Sequence, residues 1–145
     1  MSLVIRRFRA ADAPALKRLN DVYGPPTVKA KDFIVYCLGP KRLHTAWLAV
    51  QDGKPVGFAI TGDWVSFGGN GVVCKLFHLF VLEAQRGQGV GWALLQRVKE
   101  DAAKRGCKRL DTGANTDNRS ARRLYEKFGF KPKIQAQVGY QLSLA

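Results

Sequence analysis

Three glycines alternate with other residues after an apolar run and before an amphipathic stretch. Without side chains, Gly87, Gly89 and Gly91 allow the backbone to approach a ligand closely. The first N–H groups of the following helix have no carbonyl partner within the helix, so they attract an anion. The spacing therefore predicts a turn that binds a phosphate group.

Two common phosphate-binding loops do not fit this segment. A Walker loop continues from its last glycine into Lys and then Ser or Thr, whereas Gly91 is followed by Trp92. A dinucleotide fingerprint needs a glycine at its sixth place, which here is Trp92 or Leu94, depending on the starting glycine. Bulky residues there would prevent the close helix packing that glycine allows. Both classes of loop are excluded.

A second segment, residues 118–130, reads Asn-Arg-Ser-Ala-Arg-Arg-Leu-Tyr-Glu-Lys-Phe-Gly-Phe. Ala121, Leu124 and Phe128 have the spacing of one helix face, and we interpret them as core residues. Tyr125 carries a phenol, which can give a proton in a reaction.

Together these segments resemble the GCN5-related N-acetyltransferase (GNAT) family. Arg86-Gly87-Gln88-Gly89-Val90-Gly91 is similar to its acyl-coenzyme A signature, Gln/Arg-x-x-Gly-x-Gly/Ala, and residues 118–130 are similar to its second hallmark. The two occur in the family's order. The resemblance covers essentially the whole chain and is sharp over 79–95 and 118–130.

The resemblance implies one N-acetyltransferase domain over residues 1–145, with an α/β fold. We expect a mixed, mostly antiparallel twisted sheet flanked by helices, in which strands four and five splay apart. It also implies acetyl-coenzyme A as co-substrate and transfer without a metal. The implied cofactor-binding residues are Leu79, Phe80, Val81, Arg86, Gly87, Gln88, Gly89, Val90, Gly91, Asn118 and Tyr125.

The roles of these residues follow from the family. The backbone of 79–81 would contact the pantetheine arm, and 86–91 would wrap the pyrophosphate. Asn118 would bond the pantetheine or position the helix. The phenol of Tyr125, with an ordinary pKa near 10, would protonate the departing thiolate.

The general base is less defined by the resemblance. Polyamine-acetylating members carry a Glu-Asp pair where this chain has Phe77 and His78. This departure argues against a polyamine acceptor. His78, with an ordinary pKa near 6.5, is our candidate base, and the carboxylates Asp63 and Glu83 are further candidates.

The acceptor stays open at this stage. We expect a primary amine of a small molecule. A protein or peptide amine is the alternative among enzymes, and a non-catalytic module that binds coenzyme A or nucleic acid is the alternative outside them. A homodimer is possible, although no segment indicates an interface.

The elements that position these residues can be read from periodicity and turn signals. Asp52-Gly53 predicts a hairpin, the near-continuous apolar run 72–82 predicts a central strand, and Gly106 and Gly129 predict helix ends. We expect strands at 3–9, 43–50, 55–61, 72–82 and 109–113, helices at about 12–23, 31–38, 90–105 and 120–128, a loop at 66–71, and one or two strands at 133–144.

Composition limits the remaining classes. The chain has 145 residues, 46% of them hydrophobic, which suits one core. Its net charge of +13 attracts polyanions, including nucleic acid or a phosphorylated cofactor. Its three cysteines are too widely spaced for a zinc site or disulfide framework. No apolar run could span a bilayer and the first residues do not resemble a signal peptide, so we expect a cytoplasmic protein without membrane contact.

Overall fold

A computed structural model describes residues 2–69, 71–133 and 138–144. Five strands form one sheet in chain order. The first four pair antiparallel, and the last pair is parallel. The strands are β1 (Leu3–Arg7), β2 (Thr45–Gln51), β3 (Lys54–Ser66), β4 (Gly71–Val81) and β5 (Arg109–Asp111).

Helices cover both faces of the sheet. They are α1 (Ala13–Tyr23), α2 (Ala30–Leu38), α3 (Val90–Lys104) and α4 (Arg119–Phe128). Neighbouring strand residues point to opposite faces, so Leu48 packs beneath α1 and α2 whereas Trp47 packs beneath α3. Among the described residues, no helix has the length and apolar character needed to cross a membrane.

The parallel pair β4–β5 is short. It extends only from Val73 opposite Arg109 to Lys75 opposite Asp111. The Thr112 hydroxyl then donates to the carbonyl of Leu76 at 3.2 Å, and β4 continues to Val81. The strands therefore part beyond Leu76, which confirms the predicted mixed sheet with its splay.

Several predicted strand ends differ from the structure by one or two residues, and two predictions differ by more. β3 runs to Ser66 rather than 61, because Asp63 to Ser66 continue the antiparallel ladder with β4. Residues 138–144 contain no strand, whereas 134–137 lie outside the described residues. Side chains 138, 140, 142 and 144 alternate as in a strand, yet all four are exposed, since none packs on the sheet. The strand prediction is wrong over 138–144.

Candidate functional site

The glycine turn joins the end of β4 to the start of α3. Gly87 and Gly89 have φ of 76° and 84°, in the left-handed region that strains any residue with a side chain. Gly89 is also the residue that precedes α3. Glycine is therefore required at both positions by the backbone path alone.

The turn presents unpaired main-chain donors. The N–H of Ala93 donates to the carbonyl of Gly89 at 3.0 Å and begins the helical pattern. The N–H groups of residues 87–92 have no protein acceptor within the described part of the chain. They lie at the positive end of a 15-residue helix, so the field favours an anion.

Side chains hold the turn against the end of β4. Arg86 Nε donates to the carbonyl of Val81 at 2.9 Å, and Gln88 Nε2 donates to the carbonyl of Ala84 at 3.3 Å. At Gly91 a Cβ would lie 3.2 Å from Leu124 Cδ2, so this glycine allows α4 to pack closely on α3. The turn is thus braced by contacts that leave its amides free.

The open edge of β4 supplies further main-chain groups. The N–H of Leu82 donates to Val56 of β3 at 2.9 Å. Because main-chain groups alternate between the two edges of a strand, those of Leu79 and Val81 point into the gap and those of Phe80 point to β3. Phe80 instead borders the site through its ring, 5.8 Å from the Arg86 guanidinium carbon.

Tyr125 reaches the gap from the α3 side of the sheet. Asn118 immediately precedes its helix, and Asn118 Oδ1 accepts the N–H of Ala121 at 3.1 Å, so Asn118 caps and positions α4. Burial raises the pKa of the Tyr125 phenol, and a hydrogen bond with the Thr112 hydroxyl acts in the opposite direction. The phenol therefore keeps its proton at neutral pH.

His78 lies on the α1 side, against Tyr23. Its Nδ1 is 2.8 Å from the Tyr23 hydroxyl, and the two ring centroids are 5.4 Å apart. Burial lowers the pKa of His78, and the charge of His44 lowers it further. His78 is therefore neutral at neutral pH and has a lone pair to accept a proton.

The two phenols approach each other from opposite faces. Tyr23 packs on Phe58 and Phe80 in the core beneath α1, whereas Tyr125 packs on the core beneath α3. The charge of an ionised Tyr23 raises the pKa of Tyr125, so the two are within electrostatic range. The imidazole of His78, beside Tyr23, and the phenol of Tyr125 therefore lie on opposite faces of the sheet.

The two carboxylates considered as bases lie elsewhere. Asp63 is on the extended hairpin of β3 and β4 and forms an ion pair with Arg105. Glu83 is exposed in the short 3-10 turn that follows β4. Within the described part of the chain, neither forms a hydrogen bond with His78 or Tyr125, so the arrangement favours His78.

Sequence reasoning missed two residues of this site, Tyr23 and Thr112. Tyr23 occupies the helix face that the spacing of α1 predicts as core, so its type and position gave no functional signal. Thr112 was predicted only as part of a strand. Both matter through contacts with residues more than ten positions away in sequence.

A groove of about 890 Å³ lies between β5 and α4. Tyr125, Phe128 and Phe130 form its apolar side, and Lys75, Arg109 and Lys133 add positive charge. None of residues 79–91 lines it. The groove therefore lies apart from the glycine turn, although Tyr125 and Thr112 line it.

Comparison with known sequences decides the family. The sequence model of the Acetyltransferase (GNAT) family matches residues 13–130, a span that contains β4, the glycine turn and Tyr125. The chain belongs to this family.

GNAT relatives differ in what their names say they acetylate. The chain is 32% identical over 90 residues to the L-methionine sulfoximine/L-methionine sulfone acetyltransferase of Salmonella typhimurium, covering 61% of this chain and 52% of that one. A ribosomal-protein-alanine N-acetyltransferase structure from Brucella melitensis is 25% identical, with a TM-score of 0.77, covering 97% of this chain and all of that one.

The GNAT fold is also that of more distant structures. An aminoglycoside acetyltransferase, AAC(6')-Iy in complex with a bisubstrate analogue of coenzyme A, has a TM-score of 0.84 at 18% identity, covering 99% of this chain and 100% of that one. The first curated relatives are matched over only 36% to 59% of their own length.

Proposed function

We propose that this chain is an acetyl-coenzyme A-dependent N-acetyltransferase that transfers an acetyl group directly to a primary amine of a small molecule. The observation that carries the proposal is the row of unpaired amides at 87–92, which follows the end of β4, where β5 no longer pairs with it. An anion donor set, an open strand edge and a proton donor are the parts that acetyl transfer from a thioester requires.

The residues present fit coenzyme A. The amides of 87–92 would bind its diphosphate, and the main chain of Leu79 and the N–H of Val81 would bind the pantetheine amides, since the Val81 carbonyl already accepts from Arg86. Arg119, Arg122 and Arg123 on α4 add positive charge near this end of α3. Bound acetyl-coenzyme A supplies the acetyl thioester.

The protein's own residues then move two protons. His78 accepts the proton that the acceptor amine loses. The amine must be uncharged before it can attack the acetyl carbon. Tyr125 Oη donates its proton to the sulfur that leaves. A main-chain N–H at the open edge of β4 stabilises the developing oxyanion. This scheme uses no metal.

A small-molecule acceptor is supported by the 32% identity to an enzyme named for methionine sulfoximine and methionine sulfone. Phe77 and His78 stand where polyamine-acetylating members carry a Glu-Asp pair, which argues against a polyamine acceptor. The second candidate, a protein amine, is favoured by the full-length likeness to the ribosomal-protein-alanine acetyltransferase. The homodimer remains a prediction.

A thiol-release assay across an amine panel tests the proposal. The panel contains amino acids and their analogues, aminoglycosides, polyamines and peptides with a free N-terminus. We expect release of free thiol with an amino-acid analogue or another small amine, and little with polyamines. Release with peptides alone would favour the second candidate. No release with any amine, together with no binding of acetyl-coenzyme A, would contradict both.

A further inference from the structure

Tyr23 has a defined place at the last position of α1. Its ring is 5.6 Å from Phe58, 5.5 Å from Phe80 and 5.4 Å from His78, measured between centroids. Gly24 ends the helix immediately afterwards, with its N–H bonded to the carbonyl of Asn20. The phenol is therefore held by packing on three rings, although the residue is 41% exposed.

The hydrogen bond to His78 has a preferred direction. His78 Nδ1 and Tyr23 Oη are 2.8 Å apart, an ordinary O–H to nitrogen distance. A phenol is a good donor and a neutral imidazole nitrogen is a good acceptor. Donation from Tyr23 to Nδ1 leaves the His78 proton on Nε2 and leaves lone pairs on Tyr23 Oη.

We propose that Tyr23 and His78 act together as the proton acceptor for the amine, with Tyr23 Oη as the atom that contacts it. This inference rests on the proposed acetyl transfer. As the amine nitrogen bonds to the acetyl carbon and the carbon–sulfur bond breaks, the amine proton passes to Tyr23 Oη. The hydroxyl proton of Tyr23 passes to His78 Nδ1, which becomes imidazolium, and Tyr125 protonates the sulfur. Solvent water then takes the proton from His78 and returns a proton to the Tyr125 phenolate, so both residues regain their starting states.

The charged and titratable groups around Tyr23 and His78 are consistent with proton transfer from Tyr23 to His78. His44, from the segment before β2, is the titratable group whose charge acts on His78, and it disfavours imidazolium. Tyr125, from α4, is within electrostatic range of Tyr23. Arg86 lies over the ring of Phe80, two residues after His78 in β4. The imidazolium is therefore a transient state that returns its proton readily.

Imidazole NMR tests the pair without any substrate. The chain has only two histidines, so the ring nitrogens of His78 and His44 can be assigned with single variants. We expect the wild-type His78 to have an unprotonated, hydrogen-bonded Nδ1 and a proton on Nε2. Tyr23→Phe should weaken the Nδ1 hydrogen bond and raise the pKa of His78. Tyr140→Phe, at a residue 93% exposed, is the matched control and should change neither.

Kinetics of the full chain then test the relay. With the best amine of the panel, Tyr23→Phe and His78→Asn should each lower kcat by about a hundredfold, with an unchanged KM for acetyl-coenzyme A. The double variant should be no slower than the slower single variant, because the two residues act as a unit. The acid limb of the pH profile should move upward in Tyr23→Phe and be lost in His78→Asn.

Three results would overturn the relay. These are a wild-type His78 protonated on Nδ1, a Tyr23→Phe variant with unchanged His78 titration and kcat, or a double variant whose loss is the product of the two single losses. Failure of the proposed function can be distinguished from failure of the relay. If the chain is not an acetyltransferase, no amine releases thiol, but the His78 titration still depends on Tyr23.

Discussion

Burial acts on Tyr125 and His78 in opposite directions and prepares both for acetyl transfer. It raises the pKa of the phenol and lowers that of the imidazole, since burial disfavours the charged form of each. At neutral pH the proposed acid therefore holds its proton and the proposed base is uncharged. In the proposed mechanism, kcat should rise as the pH passes the pKa of His78, which lies below the ordinary His value. It should fall only above about pH 10, where Tyr125 loses its proton.

Tyr125→Phe tests the acid. Because the variant keeps the ring packed against the α3 core but lacks the donor, we expect kcat to fall by about ten- to a hundredfold. The dissociation constant of acetyl-coenzyme A should change little, since the ring contacts remain. Thiol release and calorimetry measure the two quantities. An unchanged kcat would remove Tyr125 from the mechanism.

Individual site residues can be predicted from the sequence where they belong to a recognisable motif. Gly87, Gly89 and Tyr125 were identified from local patterns. Tyr23 was not, because its role depends on where the end of α1 meets β4, and this contact spans 55 residues. Asp63 was a candidate base because the sequence does not show its ion pair with Arg105. The two residues are 42 positions apart in the chain.

The unit formed by β4, the glycine turn and α3 determines whether an anion can be held. Its parts were predicted correctly, since an apolar strand, alternate glycines and an amphipathic helix are local signals. The extension of β3 to Ser66 was not, because it is set by pairing with β4 rather than by local pattern. For residues 138–144, alternation alone did not specify a partner strand.

Gly89→Ala tests the turn against a matched control. Gly89 and Gly53 have φ of 84° and 80°, and at both positions an added Cβ would meet no atom within 4 Å. Both substitutions to Ala should lower the free energy of unfolding by about 1–2 kcal/mol through backbone strain. Only Gly89→Ala should weaken acetyl-coenzyme A binding, by about tenfold or more, because its strain shifts the binding amides.

Urea denaturation and calorimetry on both variants give the two readouts. Equal loss of affinity in Gly53→Ala, whose turn joins β2 to β3, would show that the effect is general instability. Full affinity in Gly89→Ala, with the expected loss of stability, would remove the turn conformation from the binding site.

An ion pair links β1 to the start of α1. Both guanidinium nitrogens of Arg6 donate to Asp12, at 2.8 and 2.9 Å, and the N–H of Arg9 donates to the same carboxylate at 2.7 Å. The hydrogen bond from Arg6 is the largest cause that lowers the pKa of Asp12. A carboxyl with a lower pKa in the folded state stabilises the fold above its unfolded pKa.

Asp12→Asn should therefore lower the free energy of unfolding at pH 7 by about 1–3 kcal/mol, because it leaves a partly buried guanidinium without its partner. The difference from wild type should shrink as pH falls from about 5 through the folded pKa of Asp12, since the wild type then loses the same charge. Urea denaturation at several pH values measures it, with Asp117→Asn on the exposed loop before α4 as control. A difference independent of pH would contradict the linkage.

At the scale of the whole molecule, the net charge of +13 admits two interpretations. A positive field attracts a phosphorylated coenzyme and nucleic acid alike. The fold favours the coenzyme, because the unpaired amides at 87–92 form one concentrated donor set at the start of α3. Family and fold follow from the sequence at this scale, but the acceptor does not, since its recognition depends on how distant elements meet.

Calorimetry at about 50 and 200 mM salt separates the two interpretations. Duplex DNA, held by charge alone, should lose affinity steeply with salt and have a dissociation constant of about 10⁻⁴ to 10⁻⁶ M at the higher value. Acetyl-coenzyme A should lose much less, because directed hydrogen bonds hold its diphosphate. Tight DNA binding that changes little with salt would contradict this account of the charge.

The most direct test of the proposed function is a crystal structure of the chain grown with acetyl-coenzyme A. We predict diphosphate oxygens within about 2.7–3.2 Å of the amides at 87–92, with the thioester between Tyr125 and the open edge of β4. A coenzyme bound in the groove between β5 and α4, with the glycine turn empty, would contradict the account.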